Sequence, residues 1–181
     1  MKQVILVTGN ERKVGEAKQS CDLFDIKVIQ KSADIDEIQS HDPLKISEHK
    51  ARSAYELLGQ PLVVTDTFWN IPALNGFPGA YMKEVAQWFT EQDFINLIKD
   101  KDDKTIIFSE NITYFDGKEV VRFSKEYSGK IVEPRGTGIS IENVAEIDGS
   151  TLGEKRAQGG FSHKPDEYVW YDFAEWYSDI G

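Results

Sequence analysis

The sequence predicts an α/β protein built on an elongated, mixed β-sheet. Short apolar runs typical of buried strands alternate with helical patterns through the first half of the chain. Two longer strands rich in Ile, Phe, Tyr and Val follow over residues 105–127, and Asp116-Gly117 between them is a strong hairpin signal. Because strands joined through helices run parallel and hairpin strands run antiparallel, the predicted sheet has mixed direction.

Length and composition indicate a folded protein without a membrane segment. The 181 residues are 40% hydrophobic and 29% charged, which is typical of soluble globular chains, and we expect a single domain over 1–181. No stretch is long and apolar enough for a membrane span, and the N-terminus lacks a signal-peptide pattern. Since the single cysteine, Cys21, cannot form an internal disulfide, we expect a cytoplasmic protein.

The charge balance limits the class of ligand. A formal net charge of −10 argues against a protein that binds a nucleic acid polymer by neutralising its phosphates. A small polyphosphate remains compatible with this charge, because it usually arrives with a divalent cation that acidic side chains hold.

The first predicted unit is a strand from Val4, a turn, and a helix that begins after Asn10. Asn10 is a favoured N-cap residue, and the N–H groups of the first helical turn would face the same place as the ammonium of Lys13. Glu16 lies three residues further and could pair with Lys13 or hold a metal. The pattern therefore predicts either a phosphate site or an ordinary capped helix with a solvated ion pair.

A second strand is predicted over 25–29, followed by an acidic connection that contains Asp34, Asp36 and Glu37. Asp42 and the proline after it predict the start of a helix that runs to about residue 58, where Gly59 ends it. A buried strand over 61–67 then stops at Asp66, as a central strand does where its carboxyl end opens into a cleft.

The later segments carry weaker signals. Two prolines and two glycines in residues 68–81 predict an ordered loop. One or two helices follow over 82–99, with Thr90 as a cap between them. Beyond the hairpin we expect a short strand and a glycine-rich turn over 128–138, a loop-rich segment over 139–160, and an amphipathic helix over 166–177 that packs its aromatic residues on the core.

Several motifs together resemble one enzyme family. They are, in chain order, Thr8-x-Asn10-x-x-Lys13-x-x-Glu16, then Glu37, Asp66-Thr67, Ala73-Leu74-Asn75-Gly76-Phe77-Pro78-Gly79-Ala80-Tyr81, Gly129-Lys130-Ile131-Val132-Glu133-Pro134-Arg135-Gly136, and Ser162-His163-Lys164. This set resembles the inosine triphosphate pyrophosphatase family. The resemblance implies a long mixed sheet between two lobes with a central cleft, a homodimer, and magnesium-dependent hydrolysis of noncanonical purine nucleoside triphosphates to the monophosphate and pyrophosphate.

The resemblance also implies roles for individual residues. It places Asn10 and Lys13 on the triphosphate, Glu37 and Asp66 at Mg²⁺ and the attacking water, and Glu16 in support. We accordingly predict Asp66, Lys13 and Glu37 as catalytic residues, with Glu37 and Asp66 as the metal ligands. The predicted substrate-binding residues are those in or beside the matched motifs: Thr8, Asn10, Lys13, Thr67, Arg135, Ser162, His163 and Lys164.

Two departures from the family pattern concern the metal and the base. Thr65 stands where the family usually has a glutamate, and residues 139–143 replace an aromatic segment on which the base would stack. These departures leave two alternatives to the family activity: a nucleotide-binding or regulatory protein with weakened catalysis, and a pyrophosphatase for modified pyrimidine nucleotides.

Overall fold

A computed structural model describes residues 2–159 and 163–180, which form two compact units. The first unit comprises the described residues up to Asp66, Glu110–Lys125, and those from His163 onward. The second comprises Thr67–Ser109 and the described residues from Glu126 onward to 159. No helix among the described residues is both long enough and apolar enough to span a membrane.

The strands form a sheet of mixed direction, as the sequence predicted. Their order is β2-β1-β3-β5-β6-β7-β8, and β4 pairs with β3. The strands are β1 (Lys2–Val7), β2 (Ile26–Lys31), β3 (Leu62–Ile71), β4 (Phe77–Gly79), β5 (Thr105–Phe115), β6 (Val120–Ile131), β7 (Ala145–Ile147) and β8 (Ser150–Thr151). β1 is parallel to β2 and β3, whereas the pairs β3–β4, β6–β7 and β7–β8 are antiparallel.

The helices of the first unit are α1 (Glu11–Cys21), α2 (Pro43–Leu58) and α7 (Val169–Asp179). The predicted bounds of α2 are confirmed: the Asp42 carboxylate accepts a hydrogen bond from Leu44 N, and Gly59 ends the helix with a φ of 63°. Glycine adopts that left-handed conformation without the steric cost of a Cβ, so the end of the helix is fixed locally.

The core of the first unit lies between the sheet and its helices. The buried residues of α7, Val169, Trp170 and Phe173, join a cluster with residues of β1 and α1 such as Leu6 and Ala17. Trp176 and Tyr177 pack against the same cluster, which confirms the predicted aromatic face of the C-terminal helix.

The second unit corrects two sequence predictions. Residues 68–81 are not one loop, because β3 continues to Ile71, and Phe77–Gly79 pairs with Trp69–Ile71 as β4. Residues 128–131 are not a separate short strand, because β6 is continuous to Ile131. Both errors arise where glycine and proline interrupt a segment whose strand pairing is set by a partner elsewhere in the chain.

The helices of the second unit are α3 (Met82–Trp88), α4 (Glu91–Ile98), α5 (Ser140–Val144) and α6 (Leu152–Ala157). Thr90 caps α4 through a reciprocal capping box with Asp93, which confirms the predicted boundary between two helices. The segment over 139–160 is more regular than predicted, since α5, β7, β8 and α6 all lie within it. The core joins Phe94, Ile106 and Ile141 in one buried cluster.

Candidate functional site

Asp66 is held by two donors from one face of α2. It lies on β3, and its side chain is 15% exposed. Ser47 Oγ donates to Asp66 Oδ2 over 3.2 Å, and Lys50 Nζ donates to Oδ1 over 2.8 Å. Because Ser47 and Lys50 are three residues apart on a helix, they face the same side and fix both oxygens of the carboxylate.

Lys50 also joins Asp66 to Glu37. Its Nζ lies 3.1 Å from Glu37 Oε1, so one ammonium contacts two carboxylates. The Glu37 side chain is 45% exposed and that of Lys50 is 16% exposed. Burial by itself lowers the pKa of Lys50, but the carboxylates of Asp66 and Glu37 outweigh it and raise that pKa above its usual range. Lys50 is therefore a positively charged link in the site.

Lys13 approaches the same strand from α1. Its Nζ donates to the backbone carbonyl of Thr65 over 2.9 Å, and the Thr65 side chain is buried. Burial lowers the pKa of Lys13, and the positive charges of Lys50 and Arg12 act in the same direction, while Asp66 opposes them. Lys13 thus brings a second lysine side chain to the cluster that contains Asp66.

The turn before α1 has the predicted capped geometry. The Asn10 side chain accepts from Arg12 N over 3.0 Å, and Thr8 Oγ1 accepts from Asn10 N over 3.1 Å. Arg12 Nη1 forms an ion pair of 2.6 Å with Glu16, which is buried. Glu16 therefore stabilises α1 through an (i, i+4) pair with Arg12.

The predicted residues near the C-terminus have separate surroundings. His163 is buried, its backbone N–H donates to the Tyr168 hydroxyl over 3.2 Å, and the two rings meet edge to face at 5.4 Å. Lys164 is exposed, and its backbone N–H donates to Glu167 over 2.9 Å. Ser162 lies outside the described residues.

Arg135 and Thr67 belong to the second unit. Arg135 forms an ion pair with Glu146 and another, at 3.6 Å, with Glu154. The hydrogen bond from Arg135, together with Lys130, lowers the pKa of Glu146. These contacts place the Arg135 guanidinium, 40% exposed, beside carboxylates of its own unit.

The segment that lacks the aromatic residues is an ordered part of the second unit. Ile139 is 48% exposed, whereas Ile141 is fully buried in the core of this unit. Asn143 closes the segment: its Oδ1 accepts from Gly138 N over 2.6 Å, and its Nδ2 donates to Glu91 over 2.7 Å and to the Gly138 carbonyl. The segment is therefore a hydrogen-bonded turn and short helix.

The carboxylate oxygens around Lys50 are suitable ligands for a magnesium ion. Asp66 and Glu37 present oxygens to the same point, and oxygen is the donor that Mg²⁺ prefers. Within residues 2–159 and 163–180, no group of three or more His, Cys, Asp and Glu side chains is placed to hold a metal ion. Two carboxylates without a full protein cage suit Mg²⁺, which keeps several waters and binds substrate phosphates as well.

Comparison with known proteins assigns the chain to a family. The model of the Ham1 family matches residues 4–141, more than half of the chain. The chain belongs to the Ham1 family. A dITP/XTP pyrophosphatase from Methanosarcina acetivorans is 34% identical over 157 residues, which are 85% of this chain and 85% of that protein. An inosine triphosphate pyrophosphatase 2 from Trypanosoma cruzi is 37% identical over 81% of this chain and 76% of its own length.

Solved structures agree with the Ham1 assignment at the level of fold. A HAM1 protein from Coxiella burnetii matches with a TM-score of 0.83 over 99% of this chain and 100% of its own, at 21% identity. The Ham1 protein of Staphylococcus aureus matches with a TM-score of 0.77 over 97% and 98% of the two chains, at 19% identity. The predicted fold class and the family resemblance are therefore confirmed.

In this Ham1 chain, the sequence predicted Lys13, Glu37 and Asp66 as site residues. It did not predict Ser47 or Lys50. The predicted three do lie around one cluster. Ser47 and Lys50 sit in the middle of a helix with no motif around them. Ser47, a polar residue at a buried helical position, was a partial signal, but nothing in the sequence identified Asp66 as its partner.

Proposed function

We propose that this chain hydrolyses nucleoside triphosphates, noncanonical or modified ones above all, to the nucleoside monophosphate and pyrophosphate, and so clears them from the nucleotide pool. The observation that carries the proposal is the cluster of Glu37, Lys50, Asp66 and Lys13 in a member of the Ham1 family. Relatives named dITP/XTP pyrophosphatase and inosine triphosphate pyrophosphatase support this reaction class.

Glu37 and Asp66 are the proposed ligands of Mg²⁺, which would polarise phosphate oxygens and lower the pKa of a bound water. Asp66 is the more rigid of the two carboxylates, because Ser47 fixes one of its oxygens and its side chain is 15% exposed, against 45% for Glu37. A fixed carboxylate can orient the attacking water and accept its proton, which makes Asp66 the proposed general base.

Lys13 and the start of α1 form the proposed phosphate-binding side of the site. The Lys13 ammonium would neutralise phosphate oxygens as charge develops on the leaving pyrophosphate. Asn10 and Thr8 fix the turn at the N-terminus of α1, where the helix dipole favours an anion.

The remaining predicted residues, Thr67, Arg135, Ser162, His163 and Lys164, stay proposed contacts to the nucleotide. Arg135 already pairs with two carboxylates, so binding of an anionic substrate to it requires exchange of those pairs. The homodimer also stays a proposal, and light scattering coupled to size-exclusion chromatography would measure it.

The test is a substrate panel. The full chain would be incubated with Mg²⁺ and ITP, dITP, XTP, the standard nucleoside triphosphates, and modified pyrimidine triphosphates, and the products separated by ion-exchange chromatography. We expect equimolar monophosphate and pyrophosphate, with the highest kcat/KM on the deaminated purines. A higher kcat/KM on modified pyrimidine triphosphates would instead make those nucleotides the substrate class. Binding without product on every substrate would contradict the enzyme proposal and favour a nucleotide-binding protein.

A further inference from the structure

Lys50 occupies the point that a shared cation of the two carboxylates would take. Its Nζ contacts Asp66 Oδ1 at 2.8 Å and Glu37 Oε1 at 3.1 Å. A divalent ion held by the same two carboxylates would need the same space. An ammonium and a divalent cation also repel each other at such short separation, so the two cannot share the point.

Asp66 is also held through its second carboxylate oxygen, Oδ2. Ser47 Oγ donates to Oδ2, which gives the Asp66 carboxylate an anchor separate from Lys50. Ser47 is buried, whereas the Glu37 side chain is 45% exposed and can adjust to a cation of different radius. Lys50 is therefore the exchangeable member of the cluster.

We infer that Lys50 is a built-in counter-ion of the Glu37–Asp66 pair, which a divalent cation must displace in order to bind. In the metal-free protein the ammonium offsets one of the two carboxylate charges and keeps the carboxylates close together. When it is displaced, its flexible four-carbon stem keeps the ammonium near the same site, where it can pair with an anionic ligand that accompanies the cation. Lys50 thus sets the affinity for the metal as a positioning residue.

The inference rests on the metal site of the proposed function. It predicts that replacing Lys50 increases the affinity for a divalent cation. Replacing a lysine that only supports the site should weaken metal binding. Replacing a competing counter-ion should strengthen it. For Lys50→Met we expect the Kd for Mn²⁺, without nucleotide, to fall at least about tenfold, equivalent to about 1.4 kcal/mol.

The measurement is the electron paramagnetic resonance signal of free Mn²⁺ during titration of the full chain. Lys45→Met is the matched control, because Lys45 is exposed on the same helix and its loss removes the same charge. We expect Lys45→Met to bind Mn²⁺ as the unaltered chain does. Binding by Lys50→Met that is equal to the unaltered chain, weaker, or undetectable would overturn the inference.

A second measurement uses the unaltered chain and so does not depend on the folding of a variant. Reductive methylation followed by peptide mass spectrometry would compare the labelling of Lys50 and Lys45 with and without Mg²⁺. We expect labelling of Lys50 to rise with Mg²⁺ and that of Lys45 to stay constant. Unchanged labelling of Lys50 at saturating Mg²⁺ would overturn the inference. Pyrophosphate release by the unaltered chain tests the proposed function separately, so failure of one can be told from failure of the other.

Discussion

At the scale of single residues, Ser47 shows how a buried hydroxyl can orient a carboxylate, here the proposed catalytic Asp66. Its Oγ donates to Asp66 Oδ2, and the whole residue is only 2% exposed. A buried hydroxyl needs a hydrogen-bond partner, and here the partner is the carboxylate that we propose as the general base. The orientation of Asp66 should therefore depend on Ser47.

Ser47→Ala should lower kcat for pyrophosphate release with little change in KM. A hydrogen bond of this kind contributes about 1 kcal/mol, which corresponds to roughly fivefold in rate. Ser53→Ala, on the same helix but without a contact to Asp66, is the matched control and should retain the unaltered kcat. Equal kcat for Ser47→Ala and the unaltered chain would show that Asp66 keeps its orientation without the hydroxyl.

Cys21 gives a prediction about the core that is independent of catalysis. Burial raises the pKa of its thiol to about 12, with a smaller contribution from Asp22, and the side chain is 0% exposed. At pH 8 the native protein should not react with a thiol-specific disulfide reagent, whereas the chain unfolded in urea should release one equivalent of chromophore. Rapid reaction of the native protein would contradict the described packing around α1.

The raised thiol pKa also fixes the sign of a pH effect on stability. Between the ordinary thiol pKa of 9.0 and about 12, the folded state holds a proton that the unfolded state has released. The contribution of Cys21 to the free energy of unfolding is therefore complete below pH 9.0 and decreases as the pH rises toward 12.

At the scale of elements, local signals account for the boundaries that could be predicted. Asp42 and Gly59 act within one turn of α2, and Thr90 acts within one turn of α4, so the sequence alone located both ends of α2 and the start of α4. β4 could not be located in that way, because Phe77–Gly79 is a strand only through its pairing with β3.

The C-terminal end of α7 depends on a lysine from β1. Lys2 Nζ donates to the carbonyls of Tyr177, Ser178 and Ile180 at 3.1, 2.6 and 2.5 Å. A cation at the C-terminal end of a helix satisfies carbonyls that have no partner within the helix and interacts favourably with its dipole. Lys2 thus connects the last helix to the first strand.

Lys2→Met should lower the free energy of unfolding by about 1–2 kcal/mol, since hydrogen bonds to charged groups are worth that order when partly exposed. Urea denaturation followed by circular dichroism would measure the loss. Lys27→Met on β2 removes an exposed lysine and should change stability by less than about 0.5 kcal/mol. Equal stabilities of the two variants would contradict the capping role.

Asn143 has the corresponding role in the second unit. Its amide makes three hydrogen bonds, two to the backbone of Gly138 and one to Glu91 at the start of α4. The close approach of Gly153, whose hypothetical Cβ would lie 2.2 Å from Asn143 Oδ1, leaves no room for a larger side chain at position 153. The Asn143 amide thus connects the turn at Gly138 with α4, α5 and α6.

Asn143→Ala should therefore cost about 2–3 kcal/mol of unfolding free energy, because it removes three hydrogen bonds and leaves the partly buried N–H and C=O of Gly138 without these partners. Asn96→Ala, which removes an exposed amide from α4, should cost less than about 0.5 kcal/mol. A thermal melt of both variants would measure the difference. A native-like melting temperature for Asn143→Ala would show that the turn is stable without the amide.

At the scale of the whole molecule, the sequence supplied the reaction class but not the full site. Lys13, Glu37 and Asp66 were recognisable because they sit in motifs, although β3 continues past Asp66 to Ile71 and does not end there as predicted. Ser47 and Lys50 reach Asp66 only because α2 packs with that face toward β3, and no local pattern encodes such a meeting. Arg135 pairs with Glu146 and Glu154, and these partners could not be predicted from the sequence for the same reason.

The central claim is that Asp66, with Glu37 and Lys13 beside it, carries out hydrolysis of nucleoside triphosphates. The most direct test is the rate of pyrophosphate release by Asp66→Asn, with Asp34→Asn, an exposed carboxylate in the connection before α2, as control. We predict a loss of at least about a hundredfold for Asp66→Asn in a protein that remains folded. Asp34→Asn should keep the unaltered rate. Pyrophosphate release by Asp66→Asn at the rate of the unaltered chain would contradict the account.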